Sequence, residues 1–332
     1  MVQRPKCAQV ARRGVQVRGE LGECGICGGF EERVRTTATR TSATFAWQGW
    51  RLELPPRWNP VKLEGDYHDG YALIADMDRP QLGVRWRTIS GKHFDSDRWA
   101  RRALRDEVGK LAAAKGKPFS LDEQGGAQSG AQSWAGSLLF VEPDPPGRDV
   151  WVAHSRVSGR VIEIVHHVRR REGLLRDAIL PGVVDSQLDR PRPWAVFDLA
   201  CSVGPGYELK SHQLNAGDLS LQFARKRQML TVRQIALAEM ALRRMSLDKW
   251  LASQERAVRT RYAAKESPEP WAVRDLQGVR RTSLRRRRFA LMRWLAPGVI
   301  TAVLHDRVRD RLILLQSSDE TALLETARSV GG

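Results

Sequence analysis

A series of markers recurs along this chain in one order, and that recurrence limits the fold more than any single motif. Trp47 and Trp194 are 147 residues apart, and so are Gly70 and Gly217, each of which opens an apolar run. "LGVRW" from Leu82 returns as "LTVRQ" from Leu230, an offset of 148. The helix starts "SDRW" (Ser96 to Trp99) and "SLDKW" (Ser246 to Trp250) place their tryptophans 151 apart. "GRVIEIVHH" (Gly159 to His167) matches "PGVITAVLHD" (Pro297 to Asp306) at 138 on the valine, and "SSDETALLETARSV" (Ser317 to Val330) mirrors the segment ending at Ser186. Six markers in one order point to two copies of one supersecondary unit. The expected division is a flexible extension over 1–45, a first repeat over 46–190, a linker over 191–193 and a strongly basic second repeat over 194–332. The linker, within "RPRPW", is short and proline-bearing, which holds the copies close.

Within the unit, "WRLELPPRW" (Trp50 to Trp58) alternates apolar and charged residues, the period of a half-buried strand, and Pro55-Pro56 stops it. "GYALIADMD" and "LGVRWRTI" flank "RPQ" (Arg79 to Gln81) and predict a hairpin. "DSDRWARRALRDEVGKL" changes to helical spacing, with Trp99, Ala103, Leu104, Val108 and Leu111 on one stripe and Asp95 or Ser96 as cap. Three strands follow, from Trp134, Val150 and Arg160, and then a helix-like segment from Arg170 to Gln187. The predicted class is α+β: two tandem repeats, each an antiparallel sheet packed with helices.

"WRLELPPRWNPVKLEG", "DSDRWARRALRDEV" and "ILPGVVDSQL" together resemble the PsbP-like fold, in two copies over about 290 residues. The second copy departs from the pattern, with "CSVGPGY" (Cys201 to Tyr207) in place of "LPPRW". The resemblance implies non-enzymatic docking onto partners and supplies no catalytic residue set.

No run of 18 apolar residues occurs, so no membrane span is expected, and four cysteines in 332 residues imply a reducing, cytoplasmic setting. No cofactor motif is present: there is no phosphate-cradling glycine loop, and "GAQSG" lacks the nucleophile-elbow spacing. Cys24 and Cys27 in "CGIC", with Cys7, are weak metal candidates, because a structural zinc site wants four ligands. His166 and His167 are adjacent on a strand and point to opposite faces.

Charge is the remaining signal. The formal net charge is +17, and residues 193–332 carry 24 basic and 14 acidic side chains, net +10. "RRTSLRRRRF" (Arg280 to Phe289) sits where the first copy has strands, so "VRRTSLRRRRFALMRW" (Val279 to Trp294) is expected to form two strands or one hairpin. Arg285, Arg286, Arg287, Arg288, Arg293, Arg307 and Arg309 are the candidate anion- or partner-binding residues, since arginine forks suit phosphate and carboxylate. Three functions are open at this level: a non-catalytic binding or assembly module with a protein partner, a nucleic-acid-binding protein using the basic copy, or an enzyme with a site between the copies.

Overall fold

The computed structural model describes residues 42–89, 95–109, 115–118, 134–142, 147–167, 173–258, 262–264, 267–285 and 298–330. The expected N-terminal extension therefore lies outside the described residues up to position 41. The first half contains β1 (Ala43–Trp47), β2 (Trp50–Leu54), β3 (Asn59–Gly65), β4 (Asp69–Ala75), β5 (Pro80–Thr88), α1 (Ser96–Val108), β6 (Lys117–Pro118), β7 (Trp134–Val141), β8 (Asp149–Ser155) and β9 (Arg160–His166). A π-helical turn (Leu174–Ile179), a 3-10 turn (Leu180–Gly182) and β10 (Val184–Asp185) close it. The second half contains β11 (Arg192–Val196), β12 (Leu199–Val203), β13 (Glu208–Asn215), β14 (Asp218–Arg225), β15 (Gln228–Ala236), α2 (Ala238–Leu242), α3 (Leu247–Val258), β16 (Tyr262–Ala264), β17 (Glu269–Val273), β18 (Leu276–Arg285), β19 (Val299–Asp306), β20 (Arg311–Ser317) and α4 (Glu320–Ser329).

The α+β expectation is overturned. The protein is mostly β, with three large antiparallel sheets and few helices. The sequence reading gave too much weight to amphipathic helix patterns. In the structure α1 seals only the β7–β8 part of one sheet, through Ala100, Ala103 and Leu104 against Leu138, Phe140, Val150 and Val152. Trp250 is buried on a second sheet beside Val303 and Leu312, whereas Trp99 is only partly buried.

The two large sheets share one strand order. The first runs β3-β4-β5-β9-β8-β7-β6 and the second β13-β14-β15-β20-β19-β18-β16, with β17 added beside β18. Local details correspond too, at an offset of 149. The β1–β2 turn at Gln48 (φ 49°) matches the β11–β12 turn at Phe197 (φ 52°). The β3–β4 ladder slips between Pro60 and Lys62, and the β13–β14 ladder slips between Leu209 and Ser211. The offset falls to 148 at β5, because Ile74 faces Leu82 and Phe223 faces Leu230, and reaches 151 at β9, because Val84 faces Ile164 and Val232 faces Leu315. Two sequence markers are thereby corrected. Trp194 corresponds to Phe45 rather than Trp47, and "GVITAVLHD" is β19, the counterpart of β8 rather than of β9.

The third sheet joins the halves. Its order is β10-β2-β1-β11-β12, with Ala46 opposite Ala195 where β1 meets β11. Arg192 and Pro193, in the segment expected to link the units, are the first residues of β11. Aromatic rings cross the join: Trp47 meets Trp194 edge-on at 5.2 Å, and Trp194 meets Phe223 of β14 at 5.0 Å. On the other side Trp50 lies 5.4 Å from Trp86 of β5. One continuous apolar cluster therefore runs from the first large sheet through the joining sheet to the second.

Each half anchors its first hairpin with a buried arginine. Arg160, at the start of β9, donates to the carbonyls of Gln48 (2.7 Å) and Tyr67 (2.9 Å) and pairs with the Asp185 carboxylate. Burying a charge is costly unless it is paired and hydrogen-bonded. Arg160→Met should therefore strand Asp185 and destabilise the fold by about 3–5 kcal/mol. Chemical denaturation should show that loss, and Arg160→Met combined with Asp185→Leu should recover much of it.

Candidate functional site

Of the seven arginines singled out in the sequence, Arg286, Arg287, Arg288 and Arg293 lie outside the described residues. Arg285 ends β18, and the residues from Val279 to Arg285 belong to a single strand that begins at Leu276. Arg307 and Arg309 are exposed in the turn between β19 and β20. The register Ser283 opposite Val299 and Gln277 opposite His305 puts Arg285 and that turn at opposite ends of the ladder. The seven residue steps of β19 span about 23 Å. The structure thus separates Arg285 from Arg307 and Arg309 rather than gathering them. Cys7, Cys24 and Cys27 also lie outside the described residues, and among the described residues no group of His, Cys, Asp or Glu is placed to hold a metal. His166 is buried beside Asp149, with Nδ1 3.7 Å from a carboxylate oxygen.

Arg309 instead contributes to a cleft of about 690 Å3 on the joining sheet. Arg51 and Glu53 of β2 line it from the first half. Phe197, Ala200 and Ser202 line it from the second hairpin, together with Gln234, Arg309 and Arg311. Strand alternation makes this wall. Trp50, Leu52 and Leu54 point into the core, so Arg51 and Glu53 take the other face. Small side chains at Ala195 and Ala200 leave room above the backbone. Arg51 and Arg309 are exposed, whereas Arg311 is almost fully buried, with 4% of its side chain exposed.

Arg311 is the counterpart of Arg160. Its Nε donates to Asp306 at 2.8 Å, and its Nη1 donates to the Asp198 carbonyl and to Gln234 Oε1, each at 2.6 Å. Both arginines thus hold the turn of their own first hairpin. The difference is at Nη2. In Arg160 this nitrogen meets Asp185, but in Arg311 it has no hydrogen-bond partner among the described residues. Burial on its own would raise the Asp306 carboxyl. The hydrogen bonds from Arg311 and the Arg309 backbone amide, with the charges of both arginines, outweigh burial and hold its pKa below the usual range.

The sequence reading missed Arg160, Arg192 and Arg311. A signal was present: "RVIEI" from Arg160 and "RLILL" from Arg311 share an arginine followed by inward-facing aliphatics, 151 apart. Arg192 is buried on β11, donates from Nη2 to the Tyr207 carbonyl and lies over the Tyr67 ring at 5.5 Å. Burial lowers its pKa from the usual arginine value. Cys201, on the core face of β12, is inert for a related reason: burial pushes its thiol up to about 12.

No protein-family model matches the chain, and no curated protein matches it. The PsbP-like resemblance therefore supplies no function.

The Asp306 shift sets a pH dependence. A depressed folded pKa contributes stability that is present above the ordinary carboxylate value, near 3.9, and is lost as pH falls through the folded one. The gap in thermal midpoint between the wild-type protein and Asp306→Asn should be wide at pH 7 and should narrow below about pH 4. A gap that stayed constant down to pH 3 would contradict this assignment.

Proposed function

We propose that the protein is a non-catalytic binding or assembly module, built from two copies of one β-rich unit and acting on a protein partner. The observation that carries this reading is the cleft at the join. It draws Arg51 from one half and Arg309 and Arg311 from the other onto one wall, in a body whose core runs without interruption through both halves. A rigid body of this kind presents its surface at fixed geometry, which lowers the ordering cost of binding. No helix among the described residues is long and apolar enough to cross a membrane.

Nucleic-acid binding through the basic second half is the competing reading. Several of that half's arginines are matched by acids: Arg233 with Asp218, Arg225 with Asp319, and Arg280 with Glu269 and Glu320. Such pairing leaves fewer free cations to meet phosphates than the net charge suggests.

Affinity capture should therefore retain a protein partner, and Arg51→Glu with Arg309→Glu should reduce its recovery severalfold while circular dichroism stays unchanged. Capture of nucleic acid alone would reverse the choice. So would a salt slope for DNA or RNA binding that flattens when Arg285, Arg286, Arg287 and Arg288 are changed to Ser.

A further inference from the structure

The first half shows how its own clamp is completed. β10 adds antiparallel to the outer edge of β2, with Val184 opposite Arg51 and Asp185 opposite Trp50. The Asp185 carboxylate then takes the Arg160 Nη2 hydrogens and also receives the Ser158 hydroxyl. The following residue, Ser186, ties the same segment down twice. Its amide donates to the Gly49 carbonyl at 2.8 Å, and its carbonyl accepts from the Tyr67 hydroxyl at 2.9 Å.

The second half has the receptor without the strand. β12 corresponds to β2 and is the last strand of the joining sheet on its side. At the offset of 149, Trp50 and Arg51 correspond to Leu199 and Ala200. Among the described residues no strand pairs with their outer edge. Only Ser202, farther along, is capped: its amide donates to the Ser329 hydroxyl at 2.7 Å, and its carbonyl accepts from that hydroxyl at 3.3 Å. The arginine that would meet the missing carboxylate is in place, buried, with Nη2 unpartnered among the described residues. A buried guanidinium N–H without an acceptor carries a desolvation cost that a carboxylate would remove.

We propose that the outer edge of β12 at Leu199 and Ala200, together with Arg311 Nη2, is a docking site for an extended acidic segment of a partner protein, bound as β10 is bound to β2. Main-chain hydrogen bonds supply the strand addition, and one aspartate or glutamate side chain supplies the charge-assisted contact. The surroundings favour an acidic guest, since the exposed guanidinium groups of Arg307 and Arg309 stand at the same end of the second large sheet. The proposal rests on the binding-module reading and names the class of partner.

A capped fluorescent peptide spanning residues 183–188, VVDSQL, is the natural probe, because this segment already fills the equivalent place in the first half. Fluorescence polarisation on the full chain should show saturable binding. The same peptide with Asp185→Asn should bind about tenfold more weakly, as expected for loss of one charged hydrogen bond. Hydrogen exchange should show new protection at Ala200, whose amide shares the outward side of β12 with that of Ser202. Arg311→Lys should weaken the Asp peptide and leave the Asn peptide unchanged. If that variant does not fold, the two-peptide comparison still decides, since it leaves the protein unaltered. No binding, equal binding of both peptides, or protection confined to other strands would overturn the proposal. Binding only to a chain ended at Val330 would assign the place to residues 331–332 and overturn docking in trans. Partner capture that depends on Arg51 and Arg309 without peptide binding would leave the module reading standing and remove this site.

Discussion

The pairing of β1 with β11 is the contact on which the rest of the molecule depends. Each large sheet has one face that must be covered, and neither half supplies enough helix to cover it. The joining sheet does so: Trp50 meets Trp86 of the first sheet, while Trp47 meets His212 and Trp194 meets Phe223 of the second, with the tryptophans and Phe223 in one apolar cluster. Ala46 and Ala195, opposite each other at the join, are both buried, and Ala195 lines the cleft. The edge-on stack of Trp47 on Trp194 adds about 0.5–1.5 kcal/mol beyond the area it buries. Separating the halves would expose Trp47 and Trp194, so the two units share one core rather than owning one each.

That dependence explains why three of the described arginines are buried. A hairpin laid across a sheet leaves turn carbonyls facing the interior, where water cannot satisfy them. Arg160 and Arg311 reach from the large sheets to the turns at Gln48 and Asp198, and Arg192 reaches the Tyr207 carbonyl. The guanidinium fork provides several donors in one plane, which lysine lacks. The cost is desolvation of the charge. Asp185 offsets it in the first half, whereas Asp306, which binds Nε, offsets it only partly in the second.

Much of this architecture was legible in the sequence, because apolar periodicity and turn residues are local signals. The alternation of Trp50, Leu52 and Leu54, the cap at Asp95 and the recurrence of markers all follow from residues close in the chain. The class was misjudged because α1 and the two-turn segment at Leu174 give strong helical patterns over few residues, while strands take up most of the described chain. The repeat was aligned two residues off at the first hairpin because Trp47 and Trp194 are the same residue type. They touch across the join, but the turns at Gln48 and Phe197 set the true equivalence. The clamps escaped because an arginine at a strand start reads as a solvated end. Only the register, which places Thr88 opposite Arg160 and Ala236 opposite Arg311, puts those side chains under a hairpin.

Net charge was the least informative number, and the reason is structural. The basic excess of residues 193–332 counts every arginine alike, yet these side chains do different work. Arg311 is sequestered, and Arg225, Arg233 and Arg280 are spent on Asp319, Asp218 and Glu269. A field that steers a partner comes from charges left unneutralised at the surface. Among the described candidates these are Arg51 on the cleft wall and Arg307 at the β19–β20 turn. Arg309 faces the same cleft, but its guanidinium is 3.9 Å from Asp306 and is partly compensated there. Arg307 and Arg309 therefore place exposed positive charge at the β19–β20 turn, beside the cleft. That turn stands near the β12 edge, where the internal correspondence leaves Arg311 Nη2 without the carboxylate that Arg160 has.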